Sequence, residues 1–506
     1  MQDTAALNDL SSLQLQPYRL EDWRGGNCSL KEEFDYWIDD VEGEIPHELH
    51  GTLFRNGPGL LDVGGVPLKH PFDGDGMICA IAFDQGRAHF RNRFVRTEGY
   101  LAEQAAGKIL YRGVFGTQKP GGTLANAFDL RLKNVANTQV IYWGGKLLAL
   151  WEAAQPYRLD PATLETLGKE NLEGVLQEGS PFAAHPLVDP AQDHGGPRLV
   201  NFAVKPGLSS TISIYELNQA GEVVQQQVHS VPGFAFIHDF AITPHYYLFF
   251  QNPILFNPLP YLLGFRGPGE CLNFRSHRPT RIWVIPREPS GKVQALETEA
   301  CFVFHHANAF EQGDELVVDS ICYENFPAVD HKLDYREIDF ATLPPGQIWR
   351  FHLNLKTEKA ERQLLDPRCC EFPFVHPQCL GQPYRYVFLG AAAQAEGNAP
   401  LQAMLKLDLD SGAQDFWSAA PHGFIGEPIF VPRSEDKWGS VAQEQNHQAA
   451  QEDDGWILAL VYDATHHRSD VVILDAAHLS KGPIARLHLK HHVPYGLHGS
   501  FTPTVF

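Results

Sequence analysis

Turn-forming residues cut this chain too often for long helices: 44 glycines and 36 prolines are spread along 506 residues and leave only short segments between them. Those segments are rich in Val, Ile, Leu, Phe, Tyr and Trp, the side chains that fit a pleated, half-buried surface, so the class is mostly β. The run Gln139-Val140-Ile141-Tyr142-Trp143, the pair Gly144-Gly145 and the run Lys146-Leu147-Leu148-Ala149-Leu150-Trp151 spell a hairpin.

A recurrence narrows the class. A strand that ends in an apolar residue and enters an Asp, Asn or Pro turn occurs at Phe83-Asp84, Leu159-Asp160, Leu217-Asn218, Ile285-Pro286, Leu353-Asn354, Leu409-Asp410 and Leu474-Asp475, with 56 to 76 residues between successive copies. Loosely periodic short strands are what radially arranged four-stranded sheets produce, because each sheet buries its faces only against its neighbours. The expected fold is all-β, a seven-bladed β-propeller. The spacing exceeds the about 40–45 residues of compact propeller repeats, so long loops and short helices must form a dome over one face. No linker divides the chain. Residues 41–506 are expected to form a single propeller domain with dome insertions, and residues 1–40, with Trp23, Phe34 and Trp37, an N-terminal arm packing on it. The polar run 444–454 reads as a solvated loop insertion.

Charge excludes several functions. Forty Lys and Arg against 61 Asp and Glu give a net charge of −21, so the surface repels nucleic-acid phosphates and anionic lipid headgroups alike. Nucleic acid is not expected as a partner, and any membrane contact must be apolar. No apolar run approaches the about 18 residues of a spanning helix. Met1–Ala6 carries an early acid and no basic, apolar start, which is not the pattern of a secretory signal, and a cytoplasmic protein is expected. Eight scattered cysteines without a C-x-x-C pair read as reduced thiols.

Familiar catalytic motifs fail. His47-Glu48-Leu49-His50 is one residue short of the helical zinc-protease spacing. There is no Walker loop and no G-x-S-x-G elbow. Phe72-Asp73-Gly74-Asp75-Gly76 lacks the further acids of a calcium loop and reads as a tight turn. Several of the 24 histidines sit in apolar surroundings, where an imidazole is costly unless its nitrogens are bonded or liganded. These include Ala184-His185-Pro186, Phe236-Ile237-His238-Asp239-Phe240, Phe304-His305-His306-Ala307-Asn308-Ala309-Phe310 and Pro494-Tyr495-Gly496-Leu497-His498-Gly499. Their spacings are far too wide for a local metal motif; only a fold that gathers distant strands on one axis could unite them. Residue physics alone does not choose these over His466, His467, His488 or His491.

The set Phe54-Arg55-Asn56-Gly57-Pro58, His70-Pro71-Phe72-Asp73-Gly74-Asp75-Gly76, Leu150-Trp151-Glu152, Phe236-Ile237-His238-Asp239-Phe240, Phe304-His305-His306-Ala307-Asn308, Glu371-Phe372-Pro373, Gly426-Glu427-Pro428 and Leu497-His498-Gly499-Ser500 resembles the carotenoid cleavage oxygenases. The likeness runs from about Phe34 onward. Tyr111-Arg112-Gly113-Val114-Phe115-Gly116 and Arg131–Thr138 look closest to the family's bacterial apocarotenoid-cleaving branch. The resemblance implies an Fe(2+) ion on the propeller axis held by His185, His238, His305 and His498, with His305 chosen over His306 by the family pattern. Glu152, Glu371 and Glu427 are implied as the carboxylates behind the histidines, fixing their tautomers. Phe72, Phe115, Trp151, Phe236, Phe304, Tyr323 and Phe372 lie within or near these motifs and are the candidates for the lining of a channel for a polyene, since aromatic faces offer contact without polar groups to desolvate, and Thr138 matches a family position close to the oxygen site. The implied activity is a non-haem Fe(II) dioxygenase that cleaves the 15,15′ double bond of β-apocarotenals or their alcohols with O2, giving retinal and a shorter dialdehyde. Converting one C=C and one O2 into two carbonyls is redox balanced, so no external reductant is required. Histidine donors also suit zinc or copper, but zinc does not activate O2.

Residues 253–265, apolar and proline-rich, are expected to dip into a bilayer beside the channel mouth and collect substrate, and the protein is expected to be a monomer. A second expectation keeps the iron and changes the substrate to another polyene bond or a stilbenoid. A third, a propeller used only as a binding module, requires no stoichiometric metal.

Overall fold

The computed structural model describes residues 18–190, 196–327, 334–433 and 452–506; the first 17 residues of the expected arm and residues 444–451 of the polar run lie outside them. Seven antiparallel sheets form a β-propeller, here numbered as blades 1 to 7. Blade 1 runs from Gly499–Thr502 at its inner edge through Gly51–Leu60 and Asp75–Asp84 to Arg87–Phe94. Its first two strands come from opposite ends of the chain, so their pairing closes the ring. Blades 2 to 6 follow in sequence, with inner strands Gln139–Trp143, Leu187–Asp189, Ala241–Ile242, Phe302–Gln312 and Cys370–Phe374. Blade 7 has Gly423–Ile425 and Ile429–Pro432 at its inner edge, both paired with Gly455–Asp463. The segments Asp35–Trp37 and Val41–Gly43 add outer strands to blades 1 and 7.

The recurring turns mark this architecture. Six of the seven end the third strand of a blade, and Leu409 lies one residue beyond the third strand of blade 6, Leu401–Asp408. The hairpin read at 139–151 is present as Gln139–Trp143 paired with Lys146–Leu150.

Each blade hides its faces against the next. Phe54 and Ile78 of blade 1 pack on Val140 and Leu147 of blade 2; Phe202 and Ile214 of blade 3 pack on Tyr247 and Phe249 of blade 4. At the closing interface Trp456 and Leu458 of blade 7 meet Leu53 and Phe90 of blade 1. Burial at such faces is the main drive for ring formation. The extra chain length lies in insertions between blades 1 and 2, inside blade 4 and inside blade 5. These carry the helices Glu98–Ala106, Gly122–Asn126 and Pro258–Leu262 and cover one end of the ring.

Charge is also buried between blades. Arg287, 5% exposed, donates to Asp189 Oδ2 (2.5 Å) and to Glu216 Oε1 (2.7 Å), tying blade 4 to blade 3. Removing only the cation takes a shared guanidinium from two buried carboxylates, of which Glu216 keeps Arg198. Arg287→Met is expected to destabilise the fold by about 3 kcal/mol or more, read as a lower denaturant midpoint in equilibrium unfolding.

Candidate metal centre

Each blade delivers one of the expected side chains to the axis. His185 precedes the inner strand of blade 3, His238 that of blade 4 and His498 that of blade 1, while His305 lies within the inner strand of blade 5. Glu152 follows the second strand of blade 2, Glu371 is in the inner strand of blade 6, and Glu427 lies between the two inner strands of blade 7.

Local irregularities aim these groups. The pairing of Phe302–Gln312 with Glu315–Tyr323 shifts on both sides of His306, and that of Cys370–Phe374 with Tyr386–Ala392 shifts between Glu371 and Phe374. Such bulges turn a side chain out of the regular alternation. Phe372 has a left-handed backbone, φ 54°, an uncommon conformation for an aromatic residue and a mark of local strain. His498 is clamped by its backbone: its N–H donates to Thr138 O (3.0 Å) and its carbonyl accepts from Asn56 N–H (2.8 Å). A side chain at Gly499 would place its Cβ 2.2 Å from Phe54 O, so the strand carrying His498 can approach its neighbour only without one.

One nitrogen of each of the four imidazoles falls within 4.8 Å of the others. Three rings are fixed from behind. His305 Nδ1 donates to Glu371 Oε2 (2.6 Å), His498 Nδ1 to Glu427 Oε1 (2.8 Å), and His238 Nδ1 to Glu152 Oε1. Because an ionised carboxylate only accepts, each Nδ1 carries the proton and each Nε2 turns its lone pair inward. His185 has no carboxylate behind it among the described residues.

Burial and charge set the proton balance. Burial alone would raise Glu371 and Glu427, but the facing imidazoles and the hydrogen bonds outweigh it and hold both below the usual carboxylate range. Burial likewise opposes a charge on His305, yet Glu371 overrides it and lifts that ring to about 9. His185 is pushed well down by burial and by the neighbouring rings, and His498 is lowered because burial outweighs Glu427.

The arrangement fits a metal ion. His185 Nε2 is buried without a hydrogen-bond partner, a costly state for a lone pair. His238 Nε2 and His305 Nε2 face each other at 3.2 Å, a contact that a shared proton or a metal ion bound to both lone pairs relieves. Donors about 2.1 Å from one ion stand up to about twice that apart, close to the observed spread. Four neutral nitrogens leave a divalent ion its full charge, and the carboxylates behind them offset it.

His306 turns away, bonding Ser320 Oγ through Nδ1 (2.7 Å) and packing on Phe250. The other histidines left open by the sequence are engaged elsewhere: His466 with Asp463, His467 with Tyr462, His488 with Asp470 and His491 with Phe34.

The expected lining residues fall into two groups. Phe304 stands 5.3 Å from the His238 ring and 5.7 Å from Tyr323; Phe372 lies 5.9 Å from His305 and 5.4 Å from His498; Phe236 joins them by stacking on Phe302. The Tyr323 hydroxyl donates to Glu371 Oε1 (2.7 Å), so this residue also supports a carboxylate. Phe72 and Phe115 pack edge to face at 5.5 Å, and Phe72 and Trp151 border a cavity of about 20 Å³. Thr138 is buried, its hydroxyl bound to Asn137 and its carbonyl to His498. In residues 253–265 the strand Ile254–Phe256 leads into the helix Pro258–Leu262, and Leu259, Leu263 and Phe265 are exposed. Leu124, Phe128 and Leu130 of the neighbouring loop are exposed too, joined to that helix by Phe128 N–H to Leu262 O (2.8 Å). Among the described residues no helix is long and apolar enough to cross a membrane.

The sequence reading missed Arg55, whose Nη1 donates to Glu427 Oε2 (2.6 Å), and Phe326, which packs on Phe302. The Phe-Arg-Asn-Gly-Pro run held the first signal, an arginine inside an apolar strand.

Comparison with known proteins fixes the relationship. The family model described as RPE65, retinal pigment epithelial membrane protein, matches residues 27–503. The chain belongs to the RPE65 family of carotenoid oxygenases. Apocarotenoid-15,15′-oxygenase of Synechocystis sp. is 54% identical over 497 residues, covering 98% of this chain and 99% of that protein. The crystal structure of the cobalt-substituted Synechocystis enzyme superposes with a TM-score of 0.92 at 54% identity, covering 97% of this chain and all of that one. Lignostilbene-α,β-dioxygenase isozyme III of Sphingomonas paucimobilis is 31% identical, covering 93% of this chain and 95% of its own. In this RPE65-family chain the histidine cluster and the oxygenase relatives together point to a metal cofactor.

Removing a carboxylate behind a ligating imidazole weakens metal binding by about 10–100-fold. Glu371→Gln is therefore expected to lose metal affinity on that scale and His305→Ala to lose the metal. His306→Ala should keep it, as measured by elemental analysis of anaerobically purified protein.

Proposed function

We propose that this chain is a non-haem iron(II) dioxygenase that cleaves the 15,15′ double bond of β-apocarotenals or β-apocarotenols to retinal and a shorter dialdehyde. In this reading His185, His238, His305 and His498 hold the iron, and Glu152, Glu371 and Glu427 orient three of them. The observation that carries it is the convergence of four imidazole nitrogens, one of them buried without a partner, in a chain 54% identical to an apocarotenoid-15,15′-oxygenase. Iron(II), once bound, supplies the centre at which O2 accepts electron density from the alkene.

The remaining work falls to the protein. The carboxylates keep Nδ1 of His238, His305 and His498 protonated and would hold these three rings in place toward a bound metal. Phe236, Phe304, Tyr323 and Phe372 offer aromatic faces to a polyene without polar groups to desolvate, and Phe72, Phe115 and Trp151 extend that surface. Thr138, fixed beside His498 by its backbone, presents its methyl where it restricts the position of O2. No protein acid or base is needed, since alkene and O2 become two carbonyls with no proton gained or lost.

Incubation with β-apo-8′-carotenal under ¹⁸O2 is expected to give retinal and the complementary dialdehyde, each with one labelled oxygen when sampled before exchange with water. His238→Ala should give neither. The fragment masses name the bond broken, and cleavage of a stilbenoid in place of the apocarotenal would overturn the substrate assignment.

The reading includes a cytoplasmic monomer that draws substrate from a membrane surface. Leu124, at 93% exposure, and Phe128, at 74%, support it together with Leu259, Leu263 and Phe265, because exposed apolar groups clustered on adjoining loops mark a contact site. With a net charge of −21, apolar insertion is the favourable mode of approach. Leu124→Asp combined with Phe128→Asp should reduce binding to neutral phosphatidylcholine vesicles about tenfold in a flotation assay.

A further inference from the structure

Among the described residues, Arg55 is the one Lys or Arg side chain ion-paired with any of the three glutamates behind the histidines. It is 3% exposed, in the blade 1 strand that pairs with the strand following His498. Nη1 donates to Glu427 Oε2 (2.6 Å) and Nη2 to Leu497 O (3.1 Å). Glu427 spends its other oxygen on His498 and also accepts the Gly499 N–H (2.9 Å). Glu371 is different. Apart from His305 it meets neutral donors, the Tyr323 hydroxyl (2.7 Å) and the Phe372 N–H (2.8 Å). Glu152 is half-buried and faces His238.

The three carboxylates and one guanidinium sum to two negative charges around four neutral imidazoles, and to three without the guanidinium. The more negative these surroundings, the more they favour a trivalent over a divalent ion. The Asp239 carboxylate, which accepts the N–H groups of His306 and Phe240, adds the same negative charge whether or not the guanidinium is present, so it does not alter the difference that Arg55 makes. In a buried site such a difference is poorly screened.

We propose that Arg55 is a positioning residue that biases the oxidation state of the bound metal: by offsetting Glu427 it makes the surroundings of the ion less negative and so favours a divalent over a trivalent ion. The proposal rests on the reading of His185, His238, His305 and His498 as iron ligands. Loss of the guanidinium removes one positive charge from the surroundings and favours the ferric state. A guanidinium that merely tethered two strands would leave the ferric-to-ferrous balance unmoved.

The test uses the full chain loaded anaerobically with iron(II), with iron quantified, and a mediated redox titration followed by the ferric EPR signal. One electron passes between mediator and iron, and neither O2 nor substrate is present. At a fixed ambient potential Arg55→Met should raise the ferric-to-ferrous ratio about tenfold, and Glu427→Gln should lower it. The double variant Arg55→Met with Glu427→Gln restores the charge balance and should return within about twofold of the wild-type ratio. Arg55→Lys, which keeps the charge and loses the fork, should resemble wild type. An unshifted Arg55→Met, or an Arg55→Lys shifted as far, overturns the proposal. If Arg55→Met does not fold, a double variant that stays shifted from wild type overturns it instead. Wild-type protein that takes up no iron would overturn the ligand reading beneath it, whereas stoichiometric iron with unshifted variants overturns the role of Arg55 alone.

Discussion

The hydrogen bonds from three imidazoles to three carboxylates are the interaction on which the centre depends. Each one decides which nitrogen carries the proton, and so which lone pair faces the axis. Without them an imidazole on a flexible stem would share its time between two tautomers and several ring angles. The propeller makes the arrangement accessible. Histidines come from blades 1, 3, 4 and 5 and glutamates from blades 2, 6 and 7, so each blade contributes one group. Loss of any blade but the third would leave one imidazole unsupported or one carboxylate without its donor, a costly outcome in either case.

Regular sheet geometry alone would not bring these side chains to a point. Where the centre needs a different aim, the strands depart from regularity: the bulges beside His305 and Glu371, the left-handed Phe372, and the contact at Gly499 that admits no side chain. The regular parts lie farther out, where apolar clusters such as those joining blades 1 to 2, 3 to 4 and 7 to 1 bury the sheet faces. Rigid periphery and irregular axis are complementary, since strain at the centre persists only when the surroundings over-determine it.

The fold was legible in the sequence because its signal is local and repeated. The seven turns fall at the ends of third strands, where an apolar residue leaves the sheet and the chain must reverse. The centre was not legible on the same terms. His185, His238, His305 and His498 come together only after seven blades have closed a ring, and no property of a sequence window separates them from His488, which is buried against Asp470 instead. Resemblance to a family supplied that choice. The two candidates His305 and His306 illustrate the limit: adjacent in the chain, they point to opposite sides of a bulged strand, one to the axis and the other to Ser320. Arg55 escaped notice because its partner Glu427 is 372 residues away and only the closed ring places them together. Tyr323 was legible as an aromatic surface, but the direction of its hydroxyl was not.

The exposed apolar loops and the metal centre are parts of one frame. Arg112, fully buried, donates to the carbonyls of Asn126, Asp129, Tyr261 and Arg266, and so ties the loop bearing Leu124 and Phe128 to the segment bearing Leu259 and Phe265. One residue farther along, Gly113 N–H bonds Thr117 O, and the Phe115 and Thr117 N–H groups are received by Asp73. The Asn137 side chain then bonds the carbonyls of Phe72 and Gly74 on either side of that aspartate, and the next residue, Thr138, accepts from His498. Every link is a hydrogen bond between groups shielded at least in part from water, where a missing partner costs more than the bond itself returns. A long, stiff substrate has to be held at a fixed depth if one double bond among many is to meet the metal. A continuous hydrogen-bonded frame from the exposed rim to His498 provides that fixed distance, which separate loops packed only by apolar contact would not.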